Sequence, residues 1–440
     1  MEAVGRRLAE LTGAEWGMVT AGCAAAMTHA TSACVAGGNP DRHVRLPNLA
    51  GMPKDEVIIP KHSRNVYDAA IRAAGVRIIE VNDLAELEAA IGPRTAMIYI
   101  FAGPRADAGP PAFEEITRLA QQKNVPVMAD AAAEVLTIPN AHLKRGATLV
   151  GYSGGKCLRG PQCAGLLLGR KDLVKAAWVH SAPHHGYARA MKVGKEEIIG
   201  MLAAVEAWVR RDHDAEYRQW ISWMEHIAGR VTKLPGVSAR LREPSGLSNR
   251  SPGLTIRWDP VQLGITGEEV SNLLFTTEPR IALAGSRRQG ESPTDTGISI
   301  TAYMMAPGEE KMVADRIHAV LSRPPGIRPS EARPPAANLT GRWEVHIVFA
   351  ASSSDHTLFL EQQGGRIQGT HRGDFVSREL TGTMEGDDVV LRSSLEERVM
   401  CDSLSFTFRG KVTGDVMSGE LDMGEYLMAR WTARRHQYGD

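Results

Sequence analysis

The chain has 440 residues, and its 51 Lys and Arg balance 51 Asp and Glu. Zero net charge, with 43% hydrophobic and 23% charged residues, marks a globular protein of two or three domains. It excludes a disordered chain and withholds the positive field that general nucleic-acid or membrane-surface binders need. No uncharged apolar run reaches the length of about 18 residues that a membrane span requires, and the charged start MEAVGRRLAELTG has no signal-peptide core. Five cysteines (Cys23, Cys34, Cys157, Cys163, Cys401), odd in number and without a CxxC pair, exclude a disulfide scaffold and a zinc ribbon and fit a reducing cytoplasm.

Up to about residue 320, apolar runs of strand length alternate with segments of helical period, the α/β pattern. Strands are predicted over 17–20, 56–60, 77–81, 95–101, 125–129, 149–152 and 165–169. Helices are predicted over 24–36, 67–74, 84–91, 113–123 and 143–145, with one long helical tract over 196–233. Residues 253–321 predict a small α+β cap: strand 254–258, helix 267–276, strands 280–284 and 297–303, helix 307–321. The Pro-rich stretch 323–338 reads as a stiff linker. Beyond it the period becomes two, with turn signals between short β-rich runs, which predicts an antiparallel meander of about eight strands closed as a small barrel. Trp343 and Trp431, at its two ends, are candidates to plug the barrel bottom. The domains expected are thus 1–235, a cap at 236–322, the linker and a barrel at 339–440.

Three segments carry chemistry. In LVGYSGGKCLRGPQCAGLLLG (149–169) a buried strand runs into Ser153 and two glycines, then Lys156, then another buried strand. A lysine drawn into a low-dielectric pocket favours its neutral, nucleophilic form, and Gly154 and Gly155 are expected to let the backbone approach a bound group. In VPVMADAAAEVL (125–136), Asp130 ends an apolar strand at the edge where open α/β sheets bind ligands, and it needs a cationic partner or serves as a helix cap. In VTAGCAAAMTHA (19–30), Gly22, Cys23 and Ala24 begin a small-residue helix whose free N–H groups form a phosphate seat. Phosphate seat, strand-end acid and lysine together are what pyridoxal 5′-phosphate (PLP) requires: an anion site, a partner for the pyridine nitrogen and an imine-forming amine.

The stretches LTGAEWGMVTAGCAAAM, HSRNVYDAAIRAAGV, VPVMADAAAE, YSGGKCLRGPQCAGLLLGRKDL and MKVGKEEIIGML resemble the SelA-like branch of the fold-type-I PLP enzymes, which holds selenocysteine synthase and D-glucosaminate-6-phosphate ammonia-lyase. The resemblance runs over about residues 8–205. It implies an aspartate-aminotransferase-like α/β domain with a mostly parallel sheet and a small α+β cap, to which the barrel, lipocalin-like, is appended. By the same resemblance Lys156 holds the cofactor and shuttles a proton, and Asp130 pairs with the pyridine nitrogen. Gly22, Cys23, Ala24 and Ser153 hold the phosphate, and His62 and Ala132 lie on the two ring faces. Arg189, Lys192 and Lys195 are candidates for an acidic substrate group, and Arg280 for a substrate carboxylate. His184 and His185 lack a third ligand at metal spacing and read as loop; no metal is expected. Family members carry a longer N-terminal region with an Asn-Ala-x-Gly-Thr segment near the cofactor; either the start of this chain is truncated or mis-assigned, or the pocket is completed in some other way.

The resemblance favours a lyase that abstracts the α-proton of an amino acid or amino-sugar acid and eliminates at Cβ. Racemisation or epimerisation is the alternative within enzymes. A selenium transferase is disfavoured by the balanced charge, and a non-catalytic binding protein working through the barrel is the alternative outside enzymes. A small-molecule substrate, no nucleic acid, no membrane and a homodimer or higher homo-oligomer are expected.

Overall fold

The computed structural model describes residues 1–283, 295–324, 333–395 and 404–437. The chain divides into two compact units, Met1–Arg328 and Pro329–Asp440. The first is built on a seven-stranded sheet: β1 (Trp16–Thr20), β2 (Glu56–Pro60), β3 (Arg77–Val81), β4 (Thr95–Phe101), β5 (Val127–Asp130), β6 (Leu149–Ser153) and β7 (Gly165–Gly169), in the order β1-β7-β6-β5-β4-β2-β3. Five neighbouring strands, β6, β5, β4, β2 and β3, run parallel, while β7 is antiparallel to both β1 and β6.

Both faces of the inner strands are covered, which is why they read as continuous apolar runs, while edge strand β3 keeps Arg77 and Glu80 exposed. Along β2 and β4 successive side chains alternate between two cores. Ile58, Ile98 and Ile100 pack with Leu8, Phe113 and Ile116. Val57, Ile59, Met97 and Tyr99 pack with Met27, Ala30 and Val35 of the helix Gly22–Ala36. Each large apolar side chain buried this way contributes about 1.5–3 kcal/mol. The parallel strands deliver their carboxyl ends, Asp130 among them, to one edge.

The predicted helical tract is two helices, Lys195–Arg210 and His213–Val231. Arg211 is extended and Asp212 caps the second helix, its carboxylate accepting from Ala215 N–H at 2.9 Å. A small antiparallel sheet follows, with β8 (Ser238–Arg242), β9 (Gly253–Trp258) and β10 (Thr296–Thr301) in the order β10-β9-β8. It packs on the helices His213–Val231, Gly267–Thr276 and Glu309–Ser322 through Met224, Ile227, Ile256, Val270, Ile298 and Ile317. The strand predicted over 280–284 does not form at 280–283; residue 284 lies outside the described residues. Ile281 N–H donates to Leu274 O (2.8 Å), and Ile281 and Leu283 lean on the small core, so their apolar demand is met without a strand partner.

The second unit is a closed eight-stranded antiparallel barrel: β11 (Gly341–Val348), β12 (Ser353–Gln363), β13 (Arg366–Arg372), β14 (Ser377–Glu385), β15 (Asp388–Leu395), β16 (Leu404–Thr413), β17 (Val416–Asp422) and β18 (Met428–Arg435). β18 pairs back onto β11, which removes both sheet edges. Trp343 and Trp431 are both buried in its core, with Trp343 Nε1 donating to Leu339 O (2.9 Å) and Phe408 edge-on to Trp431. Residues 325–332 of the predicted linker and Cys401 lie outside the described residues. Among the described residues no helix is long and apolar enough to cross a membrane.

Candidate active site

A cavity of about 260 Å³ opens at the carboxyl edge of the parallel strands. The backbone turns from β1 into the helix Gly22–Ala36 at Gly22, whose φ of +81° only glycine adopts freely. Gly22, Cys23 and Ala24 line the cavity at the amino end of that helix. β7 crosses against this turn at Gly165, where a Cβ would stand 2.4 Å from the Gly22 carbonyl carbon and 2.8 Å from Cys23 N. Only glycine lets the strand and the helix start meet there.

Asp130, 2% exposed, closes β5 and faces the same cavity. Tyr99 OH donates to its Oδ2 (2.8 Å), Ala132 N–H to its Oδ1 (3.1 Å), and the Cys23 thiol to the same Oδ1 (3.4 Å). Burial pushes the Asp130 pKa up, while those three donors and the charge of Lys156 pull it down; burial wins. Burial and the neighbouring Asp130 hold the Tyr99 phenol and the Cys23 thiol well above their usual ranges, so both stay protonated donors. Gly151 of β6 makes the room: a Cβ there would lie 2.9 Å from Cys23 Sγ.

Ser153 and Lys156 complete the wall with Ala131, Ala132 and Ala133. The glycines before Lys156 let other parts of the chain approach closely. A Cβ on Gly154 would stand 2.6 Å from Met201 Sδ and 2.7 Å from Ala164 O, and one on Gly155 would collide with Gln162. They let the lysine turn sit against residues 162–164 and the helix Lys195–Arg210, which holds the ammonium at the cavity.

Gly22, Cys23, Ala24, Asp130, Ala132, Ser153 and Lys156 are therefore brought together on one wall. The other predicted residues are not. His62 sits on a 3₁₀ turn with Nε2 3.1 Å from Pro111 O and Nδ1 3.1 Å from Ser63 Oγ. Both ring nitrogens are engaged there, and Tyr67, Phe101 and Ala102 form the cavity wall on another side. Arg189 stands on the turn Tyr187–Ala190, and Lys192 and Lys195 are exposed, their charges left in water. Arg280, with its side chain 70% exposed, pairs with Glu278 (3.3 Å) instead of entering the cavity. Sequence reasoning missed Tyr99 and Glu134. The signals were a tyrosine inside the apolar run TAMIYIF, whose hydroxyl needs a buried partner, and a second acid in ADAAAE.

The residues fit PLP. Asp130 is a buried carboxylate that no ion pair reaches among the described residues, facing a cavity that a lysine shares with a glycine-cradled helix start. A lysine and a buried acid on such an edge, beside a helix start, are the groups that a PLP enzyme requires. Residues 56–186 match the aminotransferase class-V family. A 5′-C-glycyluridine monooxygenase-decarboxylase from a Streptomyces species is 34% identical over 299 residues, covering 64% of this chain and 72% of that one. The D-glucosaminate-6-phosphate ammonia lyase of Salmonella typhimurium is 27% identical over 329 residues, covering 73% and 85%. A solved D-glucosaminate-6-phosphate ammonia-lyase structure superposes with a TM-score of 0.61 at 26% identity over 73% of this chain and 85% of that one. An L-seryl-tRNA(Sec) selenium transferase of Edwardsiella ictaluri is 26% identical, and the chain spans 50% of its length. The chain belongs to the SelA-like branch of the class-V, fold-type-I PLP enzymes, and its cofactor is pyridoxal 5′-phosphate.

Proposed function

We propose that this enzyme is a lyase for an α-amino acid or amino-sugar acid that carries oxygen on the carbon beside Cα. The observation that carries the reading is Lys156 and Asp130 opening on one small-residue cavity. The relatives agree on the substrate feature: glucosaminate, glycyluridine and seryl-tRNA each contain an amino-acid unit with oxygen on the carbon beside Cα.

Bound PLP supplies a pyridinium ring that drains charge from Cα. The chain's own groups do the rest. The N–H groups at Gly22, Cys23 and Ala24 and the Ser153 hydroxyl hold the phosphate. Asp130 would pair with the ring nitrogen, and its three donors favour its anion. Ala132 offers a flat, small wall to the ring. Lys156 would hold the cofactor's aldehyde through Nζ and, with substrate bound, would carry the Cα proton to the departing oxygen, which leaves as water. Hydrolysis of the remaining enamine gives a 2-oxo acid and ammonia.

Incubation with D- and L-amino acids and amino-sugar acid phosphates tests this. The expected result is 2-oxo acid and ammonia in equal amounts; loss of optical activity alone would replace the lyase with a racemase. A second reading, oxidative decarboxylation at Cα, is favoured by the higher identity to the Streptomyces enzyme, 34% against 27%. Oxygen uptake and CO₂ release without ammonia in the same incubations would establish it instead. A symmetric homodimer or larger assembly belongs to the proposal and is read by light scattering.

A further inference from the structure

Asp130 shares the cavity wall with a second acid. Glu134 lies four residues on, is 3% exposed, and also lines the cavity. The backbone that carries it is held by its neighbours: Val135 N–H donates to Leu247 O (3.0 Å) and Asn249 N–H to Ala133 O (2.8 Å). Glu134 Oε2 lies 2.5 Å from His142 Nε2. His142 is 1% exposed and packs on Phe113, ring centroids 5.4 Å apart. Asn140 fixes the short helix that presents it, accepting from His142 N and Leu143 N at 3.1 Å each and giving its Nδ2 hydrogen to Tyr152 OH at 2.7 Å.

His142 Nδ1 is buried and without a hydrogen-bond partner among the described residues. A hydrogen on that nitrogen would be a buried orphan donor, so the ring carries its hydrogen on Nε2 and gives it to Glu134. Glu134 then takes one hydrogen bond at Oε2 and keeps most of its other acceptor sites unfilled. Among the described residues nothing donates to Oε1. A carboxylate so buried and so little satisfied is costly unless a donor arrives through the cavity. The cofactor's phosphate, ring nitrogen and aldehyde have other seats, at the helix start, at Asp130 and at Lys156, and its ring hydroxyl stands next to the aldehyde, whose nitrogen partner engages that hydrogen. The missing donor belongs to the substrate.

We infer that Glu134, held by His142, is the specificity-determining residue that accepts a hydrogen bond from the substrate's hydroxyl on the carbon beside Cα. This rests on the reading that β-hydroxy-α-amino acids enter this cavity, and it adds the group that tells them from amino acids without the hydroxyl. A substrate lacking it leaves the carboxylate unpaired, the situation in which polar sites discriminate most. The same negative charge repels the substrate carboxylate and so turns it toward the far side of the cavity.

The test titrates holoenzyme with D- and L-serine and D- and L-alanine and reads the change in the cofactor's visible band. In wild type, serine of one hand half-saturates at a concentration about tenfold below that of the matching alanine, as expected for a hydrogen bond to a charged group. In Glu134→Gln, which keeps shape and the His142 contact, the ratio falls to about twofold. The resting band stays at the wild-type value, which a cofactor-holding role would not allow. Glu134→Ala gives the same loss of ratio. An unchanged ratio in Glu134→Gln overturns the inference. So does a shifted resting band with the ratio intact, or a cofactor-loaded wild type that does not distinguish serine from alanine. Failure of the lyase assay leaves the ratio intact, so the two failures are distinguishable.

Discussion

Removing the Tyr99 hydroxyl tests how Asp130 is kept ready for the ring nitrogen. Tyr99→Phe deletes the donor to Asp130 Oδ2 at 2.8 Å and adds no bulk to a site with 0% exposure. A hydrogen bond to a charged acceptor is worth about 1.5–3 kcal/mol, and its buried acceptor is left short. At about 1.4 kcal/mol per tenfold, PLP affinity falls about ten- to a hundredfold. The direction follows from Asp130 itself: burial already raises its pKa against the pull of Tyr99, so losing Tyr99 favours the neutral acid that cannot pair with a pyridinium. The Cys23 thiol, a weak donor at 3.4 Å, is worth less than about 1 kcal/mol, so Cys23→Ala weakens binding only a few-fold. Stripping the cofactor and titrating it back while following protein fluorescence measures both. A Cys23→Ala loss equal to or larger than that of Tyr99→Phe would refute this ranking of the donors.

Two further outcomes follow from packing and titration. Gly165→Ala places a Cβ against the Gly22 carbonyl and Cys23 N. It costs about 1–3 kcal/mol of stability, and the purified protein loses cofactor although Lys156 is untouched, read as the ratio of visible to ultraviolet absorbance. In the barrel, burial first, then the charges of His356 and Arg378, lower the His371 pKa to about 3 from 6.5. His371 also faces Ser393, Phe406 and Phe408. The unfolded chain therefore takes up its proton first as pH falls. The contribution of His371 is complete above about pH 6.5 and is lost toward pH 3 at up to about 1.4 kcal/mol per pH unit. Thermal unfolding followed by tryptophan fluorescence between pH 7 and 4 should show this slope, flattened in His371→Gln; an identical slope in that variant would contradict it.

Much of the architecture is legible in the sequence because burial writes it there. β2, β3, β4 and β7 begin and end at the predicted residues, since each centres on a run of apolar or β-branched residues. The barrel is legible because its strands have one wet face and one dry face, which imposes period two. What failed depended on contacts far along the chain. The break at Arg211 needed the Asp212 cap to be recognised inside a polar stretch, and 280–283 carried strand-like residues whose partner was a hydrophobic core. In the site, Asp130 and Lys156 announced themselves by charge at a strand end. Lys192 and Arg280 are also charged but stand in water, and half-buried Arg189 stands on a turn away from the cavity lining. Tyr99 and Glu134 were hidden because their importance lies in who faces them, Asp130 and His142, and spacing does not encode that.

The most direct measurement is borohydride reduction of the yellow holoenzyme, absorbing near ~420 nm as PLP imines do, followed by peptide mass spectrometry. The band should bleach and the reduced pyridoxyl group should sit on the peptide that carries Lys156, with Lys156→Ala colourless and unlabelled. A label on another lysine, or equal colour in both proteins, would contradict the assignment of Lys156 as the amine that holds the cofactor.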